Sequence, residues 1–480
     1  MEAVEAEKVQ IIKVVESRQD KFWKISDAIW SYAELGLEEY KSSGLLIDIL
    51  QEAGFEIDRG VAGMPTAFVA SWSHGTGKPV VGFLAEYDAL PMLSQKAGAT
   101  MHDPLVPGAP GHGCGHNTMG AMQALAVITM QEIIRKRDLN CTLKYFGSPA
   151  EEMLISRPYM IRAGLFKDVE VVLDCHSSGA FGTSYGTSGA GMYSFVVTFR
   201  GKTAHSGSNP WMGRSAIDAV ELMHAATERM REHTPITQRT HWVTLEGGEA
   251  PNVVPDRAST WYFIRDIDDN LAGRFDWVMD CAKGAALMTQ TTYEVKVLTA
   301  IHQRHGNKAL AELIFENIKA VGKPEYTEEE EAFARAVQEN TGVPVKGLDY
   351  SLTLTDTATM PYRGGSSDVG DVTLVAPCAT VGFPTNIPGG IGHHWAVATS
   401  GATSLAHKGI TAGAKVVSGT VYDLLTKPEL LAQIRNEFEE FSREKPYKTF
   451  LPADAEPPVG WNTSLMDKYR GEMGKFYVNP

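Results

Sequence analysis

Cysteine is scarce in this chain: Cys114, Cys141, Cys175, Cys281 and Cys378 are the only five in 480 residues. An odd, scattered set is no disulfide framework and fits a reducing cytoplasm. Long apolar runs are also missing, so no membrane span is expected. The start, Met1-Glu2-Ala3-Val4-Glu5, lacks the basic-then-apolar pattern of a secretory signal. Excess positive charge is absent too: the net charge of -14 argues against nucleic acid or an anionic membrane as partner. It leaves room for a negatively charged small substrate, because local charge governs a pocket. Internal repeats and low-complexity segments are not found. What remains is an ordinary globular composition, 43% hydrophobic and 21% charged, too long for one small core. Two domains are expected.

Periodicity divides the chain. Residues 8–33 and 42–53 read as amphipathic helices, the second closed by Gly54. Buried-type strands are expected at 66–72, 80–86, 142–146 and 169–173, with a helix over 117–136. Helices alternating with short apolar strands indicate an open α/β sheet, whose ligands bind beyond the carboxyl ends of the strands. From about Gly189 the order becomes β-α-β-β-α-β, the ferredoxin-like arrangement. The fold expected is therefore an α/β catalytic domain, an open mixed sheet with helices on both faces, formed by residues 1–188 and 304–480. A ferredoxin-like α+β lid, residues 189–303, interrupts it. Further on, helices are expected at 308–321, 328–340 and 402–425 and apolar strands around 372–383, with a surface coil after Pro446. The acidic run Glu328–Glu331 reads as a solvated helix start favoured by the macrodipole.

The chain is organised around Gly111-His112-Gly113-Cys114-Gly115-His116-Asn117, a thiol and an imidazole one residue apart in glycine-rich backbone. Alone, such a pair is explained as well by a buried cysteine beside a helix cap. The strand ends decide otherwise: Glu86, Asp88, Glu151, Glu152 and His176 all stand there. Cys114, His116, Glu152, His176 and His393 are the candidate metal ligands, a thiolate, imidazole and carboxylate set that suits zinc or manganese. Five ligands exceed one tetrahedral site. Two metals are expected, His116 and His176 on one, Glu152 and His393 on the other, with Cys114 between. Glu151 is left as the base that deprotonates a water and then protonates the leaving nitrogen.

Those residues carry a resemblance. Gly-His-Gly-Cys-Gly-His-Asn, Pro-x-Glu-Glu, a strand ending in His, Gly-Lys-Thr-Ala-His-Ser, and His393 before Trp395 resemble the M20 metallopeptidases. So do Tyr87-Asp88-Ala89-Leu90-Pro91, Pro251-Asn252-Val253-Val254 and Ser367-Asp368-Val369-Gly370-Asp371. Within the family the chain is most similar to the amidohydrolase branch with Cys-x-His, of the p-aminobenzoyl-glutamate hydrolase type. The resemblance implies an amidase with two divalent metal ions (Mn2+ or Zn2+), acting on an N-acyl amino acid or a dipeptide-like amide. It also implies a homodimer formed through the lid, and leaves open a companion subunit. His205 would polarise the substrate carbonyl, often from the partner subunit, and Asn252 and Arg265 would hold the substrate's polar end. Arg265 can equally be read as an ion pair with Asp266 or Asp268.

Departures from the family pattern carry expectations of their own. Leu84-Ala85-Glu86 stands where other members have His-x-Asp, so the ligand role passes to Cys114 and His116. Glu86 becomes the carboxylate that orients a ligand imidazole, with Asp88 beside it as a second outer partner. Asn117, where many members have Asp, makes the surroundings less negative. Met153-Leu154-Ile155 reads either as an apolar acyl pocket or as core. His112 reads as a loop hydrogen-bonder, His394 as an alternative to His393, and His407 as structural. Asp368 and Asp371 read as outer hydrogen-bond partners or turn formers. The leading function is cleavage of an aromatic acyl-glutamate or acyl-aspartate. The alternatives are a β-alanyl-type dipeptidase, a xenobiotic amide deacylase, a Cys114 nucleophilic hydrolase and a non-catalytic binding protein.

Overall fold

The computed structural model describes residues 2–360 and 362–480; Met1, the first residue of the start read above, lies outside them. Helices α1 (Glu2–Tyr32) and α2 (Tyr40–Glu52) precede β1 (Glu56–Arg59), β2 (Phe68–His74) and β3 (Val80–Ala85). Next come α3 (His116–Arg137), β4 (Cys141–Gly147), α4 (Ser156–Arg162), β5 (Val171–Ser178) and β6 (Phe181–Ser188). A separate unit follows: β7 (Gly191–Arg200), α5 (Ala216–Met230), β8 (Arg239–Glu246), β9 (Arg257–Asp266), α6 (Asp268–Thr289) and β10 (Thr292–Ile301). The chain then forms β11 (Arg304–Gly306), α7 (Lys308–Val321), α8 (Glu328–Thr341), β12 (Leu352–Asp356), α9 (Val369–Thr373) and β13 (Cys378–Pro384). It ends with α10 (Trp395–Ser400), α11 (Ser404–Thr426), α12 (Pro428–Glu444) and α13 (Thr463–Met473).

The large sheet runs β1-β2-β4-β3-β5-β13-β6-β11, with β12 also on β6. Its centre, β4-β3-β5-β13, is parallel and its flanks are antiparallel, except that β12 runs parallel to β6. Side chains alternate across a strand, and β3 divides accordingly. Val81, Phe83 and Ala85 enter a core with α1, α3 and α11, whereas Val80 and Leu84 enter another with α4 and α9. Helices thus cover both faces, which accounts for the unbroken burial of β3. The second sheet is antiparallel, in the order β10-β7-β9-β8, the ferredoxin-like pairing.

Several segments differ from the sequence reading. Residues 372–383 are not continuous strand: Val369–Thr373 is helical and only Cys378–Pro384 is extended. The tail after Pro446 holds α13. Strands β1, β6, β11 and β12 escaped notice because they are short or rich in Gly, Ser, Thr and charge, and so lack the apolar pattern. The acidic start of α8 is closed by a capping box between Thr327 and Glu330, and Glu330 turns inward to Lys408. Residues 153–155 resolve as core: Met153 and Ile155 pack with the α4–α9 cluster, Leu154 with Met192 and Ile301.

His302 joins the two sheets. Its Nδ1 lies 2.8 Å from Asp268 Oδ2 and its Nε2 2.9 Å from the Lys448 carbonyl, while its ring stacks on Phe450. Both nitrogens face acceptors, so only the imidazolium satisfies both. Burial opposes that charge, but the Asp268 hydrogen bond and the charges of Asp371 and Asp268 outweigh it and raise the His302 pKa. Asp371, which accepts from the His302 N–H and from Tyr447, is itself pushed up by burial to about 6. A raised folded-state pKa stabilises below the unfolded value and loses that stability as pH rises through the folded value. The thermal midpoint should therefore fall as pH rises above about 6.5, and His302→Gln should flatten that slope. Identical slopes in the two proteins would remove the imidazolium from the junction.

Candidate metal centre

The parallel strands deliver their carboxyl ends to one place. After β3 the chain presents Glu86 and Asp88, with Tyr87 between them turned away to the Thr66 carbonyl. After β4 it turns at Ala150, in the left-handed region at φ 55°, and presents Glu151 and Glu152. His176 stands near the end of β5. The glycine-rich motif crosses above: Gly115 has φ 81°, and a Cβ there would meet Ser177 Oγ at 2.4 Å. That close approach lets Ser177 donate to the Cys114 carbonyl, which pins the motif against β5. His116 then opens α3.

The result is a compact donor set. Cys114 Sγ lies 3.5 Å from His176 Nε2, and His393 Nε2 lies 3.3 Å from Glu152 Oε2. Cys114, His116 and His176 form one group and Cys114, Glu152 and His393 another, ligand atoms in each lying within 4.8 Å of one another. A third group, Glu86, His116 and Glu151, meets the same limit. His116 Nδ1 is held by Asp88 Oδ1 at 2.9 Å, and Asp88 Oδ2 accepts the Glu152 N–H. The orienting contact on the His116 imidazole is therefore made by Asp88; Glu86, expected in that role, faces Nε2 instead, at 3.3 Å.

Metal ions fit this set. His116 Nε2, Glu86 Oε2 and Glu152 Oε1 are buried with no hydrogen-bond partner among the described residues. Such orphaned atoms are costly unless something binds them. Burial pushes the Glu86 and Glu152 carboxyls up to about 7 and Glu151 well above its ordinary value. A dication reverses that penalty. Cys114 does not have the surroundings of an activated nucleophile: burial, with Glu152 beside it, pushes its thiol up to about 12. His176 is lowered by burial to about 4 and adds no charge, and the His116 charge that favours the thiolate does not outweigh burial.

Other conspicuous residues fall outside the cluster. Asn117 ties α3 to Ser26 and to the Gly401 carbonyl. His112 bonds the Ile29 carbonyl, His394 caps α10 and His407 pairs with Asp27. His205 lies on an exposed loop of the lid, its Nδ1 accepting from Gly207 and Ser208, beside the loop that carries Asn252. Within one chain neither joins the ligand groups. Arg265 makes no ion pair with Asp266, which is taken by Arg274, or with Asp268, which is taken by His302. Its Nε is buried without a partner among the described residues, and its charge lowers the His393 pKa behind the larger effect of burial.

Residues 187–274 match the model of the peptidase dimerisation domain of M20 proteins. The B-type subunit of the p-aminobenzoyl-glutamate hydrolase of Escherichia coli is 33% identical over 92% of this chain and 97% of its own length. The chain belongs to the M20 peptidase family. The Xaa-Arg dipeptidase of Homo sapiens is 27% identical over 90% of this chain and 92% of its own. In fold, the chain is similar to the aminobenzoyl-glutamate utilization protein of Klebsiella pneumoniae, with a TM-score of 0.58 and 18% identity. That match covers 84% of this chain and 98% of the other. A Bacillus subtilis protein described as a dinuclear metal binding peptidase of the M20 family gives 0.54 and 16%, covering 86% and 99%. As an M20 chain it is a metal-dependent amidohydrolase, and no described helix is long and apolar enough to cross a membrane.

One member of this M20 site was not legible as such. Arg157, in the first turn of α4, is fully buried and faces two carboxylates. It pairs with Asp368 through Nη1, and its Nη2 lies 2.7 Å from Glu86 Oε1, a charge contact without hydrogen-bond alignment. Asp368 also accepts from Ser156 Oγ at 3.1 Å and from the Arg157 N–H at 3.0 Å. It is therefore a buried clamp rather than a turn former. Breaking a buried ion pair from one side costs about 3–5 kcal/mol, because the other charge is stranded. Asp368→Ala should lose about that much in urea unfolding; a loss below roughly 1 kcal/mol would mean that Arg157 is neutralised by Glu86 alone.

Proposed function

We propose that this M20 chain cleaves the amide bond of an N-acyl amino acid with an aromatic or other apolar acyl group, using two divalent ions. The observation that carries the reading is the pair of three-ligand groups sharing Cys114, with Glu151 beside them. The catalytic domain would comprise residues 1–188 and 304–480, and the lid residues 189–303. Manganese or zinc held by Cys114, His116 and His176, and by Cys114, Glu152 and His393, would supply Lewis acidity toward the carbonyl and acidify a water. The His116 Nδ1–H donates to Asp88, and so Nε2 is left free to ligate. Glu151, buried in the same pocket, removes the proton of the attacking water and delivers it to the departing nitrogen.

A pocket of about 330 Å³ opens on Cys114 and His176; Val337, Val343, Ile387 and Val397 line it together with Ser178, Gln338, Thr341 and Asn386. It suits the acyl group. Arg265, unpaired near His393, and Asn252 would hold the substrate's carboxylate. His205, exposed on the lid, would reach the carbonyl in the partner subunit of a homodimer. The Escherichia coli relative is named as one subunit of a hydrolase, which supports a companion subunit here as well. A cytoplasmic site of action agrees with the few, unpaired cysteines.

Purified protein should carry two equivalents of transition metal and lose hydrolysis of N-acyl amino acids on chelation. Glu151→Gln should lower kcat between roughly 100- and 10,000-fold with metal content retained; near-normal turnover would remove it as the base. His205→Ala should be comparably inactive. Mixed Glu151→Gln and His205→Ala subunits should regain activity, since a heterodimer holds one intact composite site. Verified heterodimers without activity would confine His205 to its own chain.

A further inference from the structure

The turn that presents Glu151 and Glu152 is held at two backbone amides, each by a buried carboxyl group. Asp88 accepts the Glu152 N–H, and Glu39 accepts the Ala150 N–H through Oε1 at 2.8 Å. The Ala150 N–H has no other acceptor among the described residues. Ala150 stands in the left-handed region without being a glycine, and Leu154, at φ 58°, closes the same turn. Two such residues four apart are not what local preference selects. The shape is imposed from outside the turn.

Glu39 lies at the start of α2, where a negative charge is ordinarily favoured by the helix end. Glu34 serves that end instead, accepting from the Lys41 and Ser42 N–H groups. The Glu39 side chain is thereby free to extend to Ala150 and to the Thr66 hydroxyl, 2.8 Å from Oε2. It is fully buried, and burial together with the Asp88 charge pushes its carboxyl well above the ordinary range. No cation among the described residues pairs with it. A carboxyl group so placed works against stability, and its reach into the metal centre is through the turn that carries base and ligand.

The loop that bears Glu39 is packed to the same end. Gly36 lies so near the turn that a Cβ there would meet the Ala150 Cβ at 2.8 Å. From the far side the C-terminal segment grips the loop. Asn462 donates to the Gly36 carbonyl at 2.9 Å, and Thr463 and Arg470 both donate to the Glu38 carboxylate.

We infer that Glu39 is a positioning residue: by fixing the Ala150 amide, 111 positions further along the chain, it sets the direction in which Glu151 and Glu152 leave the turn. The inference rests on the reading of Glu151 as base and Glu152 as ligand.

The test compares Glu39→Gln, which keeps an oxygen for the Ala150 N–H, with Glu39→Leu, which keeps the bulk and leaves that N–H unpaired. Metal-free protein is titrated with Mn2+ by calorimetry, kcat and KM are measured on an N-acyl amino acid at saturating Mn2+, and hydrogen exchange is followed over residues 147–155 without metal. Glu39→Leu should weaken one of the two ions about 10- to 100-fold and leave the other near its wild-type affinity. It should lower kcat by up to about 100-fold with KM little changed, and speed exchange in that segment alone. Glu39→Gln should stay close to the wild type in all three. Equal weakening of both ions with faster exchange throughout the chain would make Glu39 part of the general core and overturn the assignment. So would wild-type behaviour of Glu39→Leu, or a Glu39→Gln as impaired as Glu39→Leu. Should Glu39→Leu fail to fold, Glu39→Asp, too short to span both partners, carries the same expectations. A wild type that binds two ions and hydrolyses no amide would sink the amidase reading, while selective loss of one ion in Glu39→Leu would still sustain Glu39. In a wild type that takes up no metal the ligand reading would fall, and local exchange would still decide whether Glu39 holds the turn.

Discussion

Too much negative charge in too little water is the constraint on which the rest of the structure depends. Glu86, Asp88, Glu151 and Glu152 converge at the ends of two adjacent strands, with the Cys114 thiol among them. Repulsion and lost hydration would drive such a set apart or protonate it. The fold answers with one permanent cation, Arg157, which is locked between Glu86 and Asp368, and with His116, held by Asp88. Those two charges do not offset four carboxyls. The deficit is what makes the pocket a receptor for divalent ions.

Around that pocket the space divides by polarity. On one side of His176 valines and an isoleucine stand among amides and hydroxyls, and on the other the lining is hydroxyls and arginines. An amide has the same division, since its acyl half and its amino-acid half differ in charge.

Much of this was legible in the sequence, and the limits have physical reasons. Apolar runs ending in Glu, Asp or His gave the parallel strands and the site residues together, because a buried strand must be apolar and a site at its end must not be. The β-α-β-β-α-β order of the lid follows from the same alternation. What stayed hidden depends on pairing. Arg157 does not stand out in the sequence, and Asp368 stays open between outer hydrogen-bond partner and turn former, until packing brings residues 211 positions apart into contact. Glu86 and Asp88 both read as outer partners of an imidazole, and only the position of His116 shows that Asp88 makes the orienting contact while Glu86 faces Nε2. Met153-Leu154-Ile155 could be pocket or core on composition, and burial decides for core. Strand β6 went unseen because its Gly, Ser and Thr line the hydroxyl-rich side of His176 rather than the core.

The central sheet is also discontinuous along the chain. Strand β5 pairs on one side with β3 and on the other with β13, and Asp174 meets its partner Thr380 across 206 positions. During synthesis the inner half of the sheet therefore emerges with an open parallel edge, which stays unpaired until the entire lid and the part of the second segment up to β13 have been made. The anionic pocket waits as well, since Asp368 and His393 arrive late. An exposed central edge invites pairing with the wrong strand. The inserted unit, which completes its own antiparallel sheet from contiguous residues, can fold in that interval. This architecture makes the nascent chain most vulnerable in the middle of its synthesis, when the lid is finished and the sheet beneath it is not.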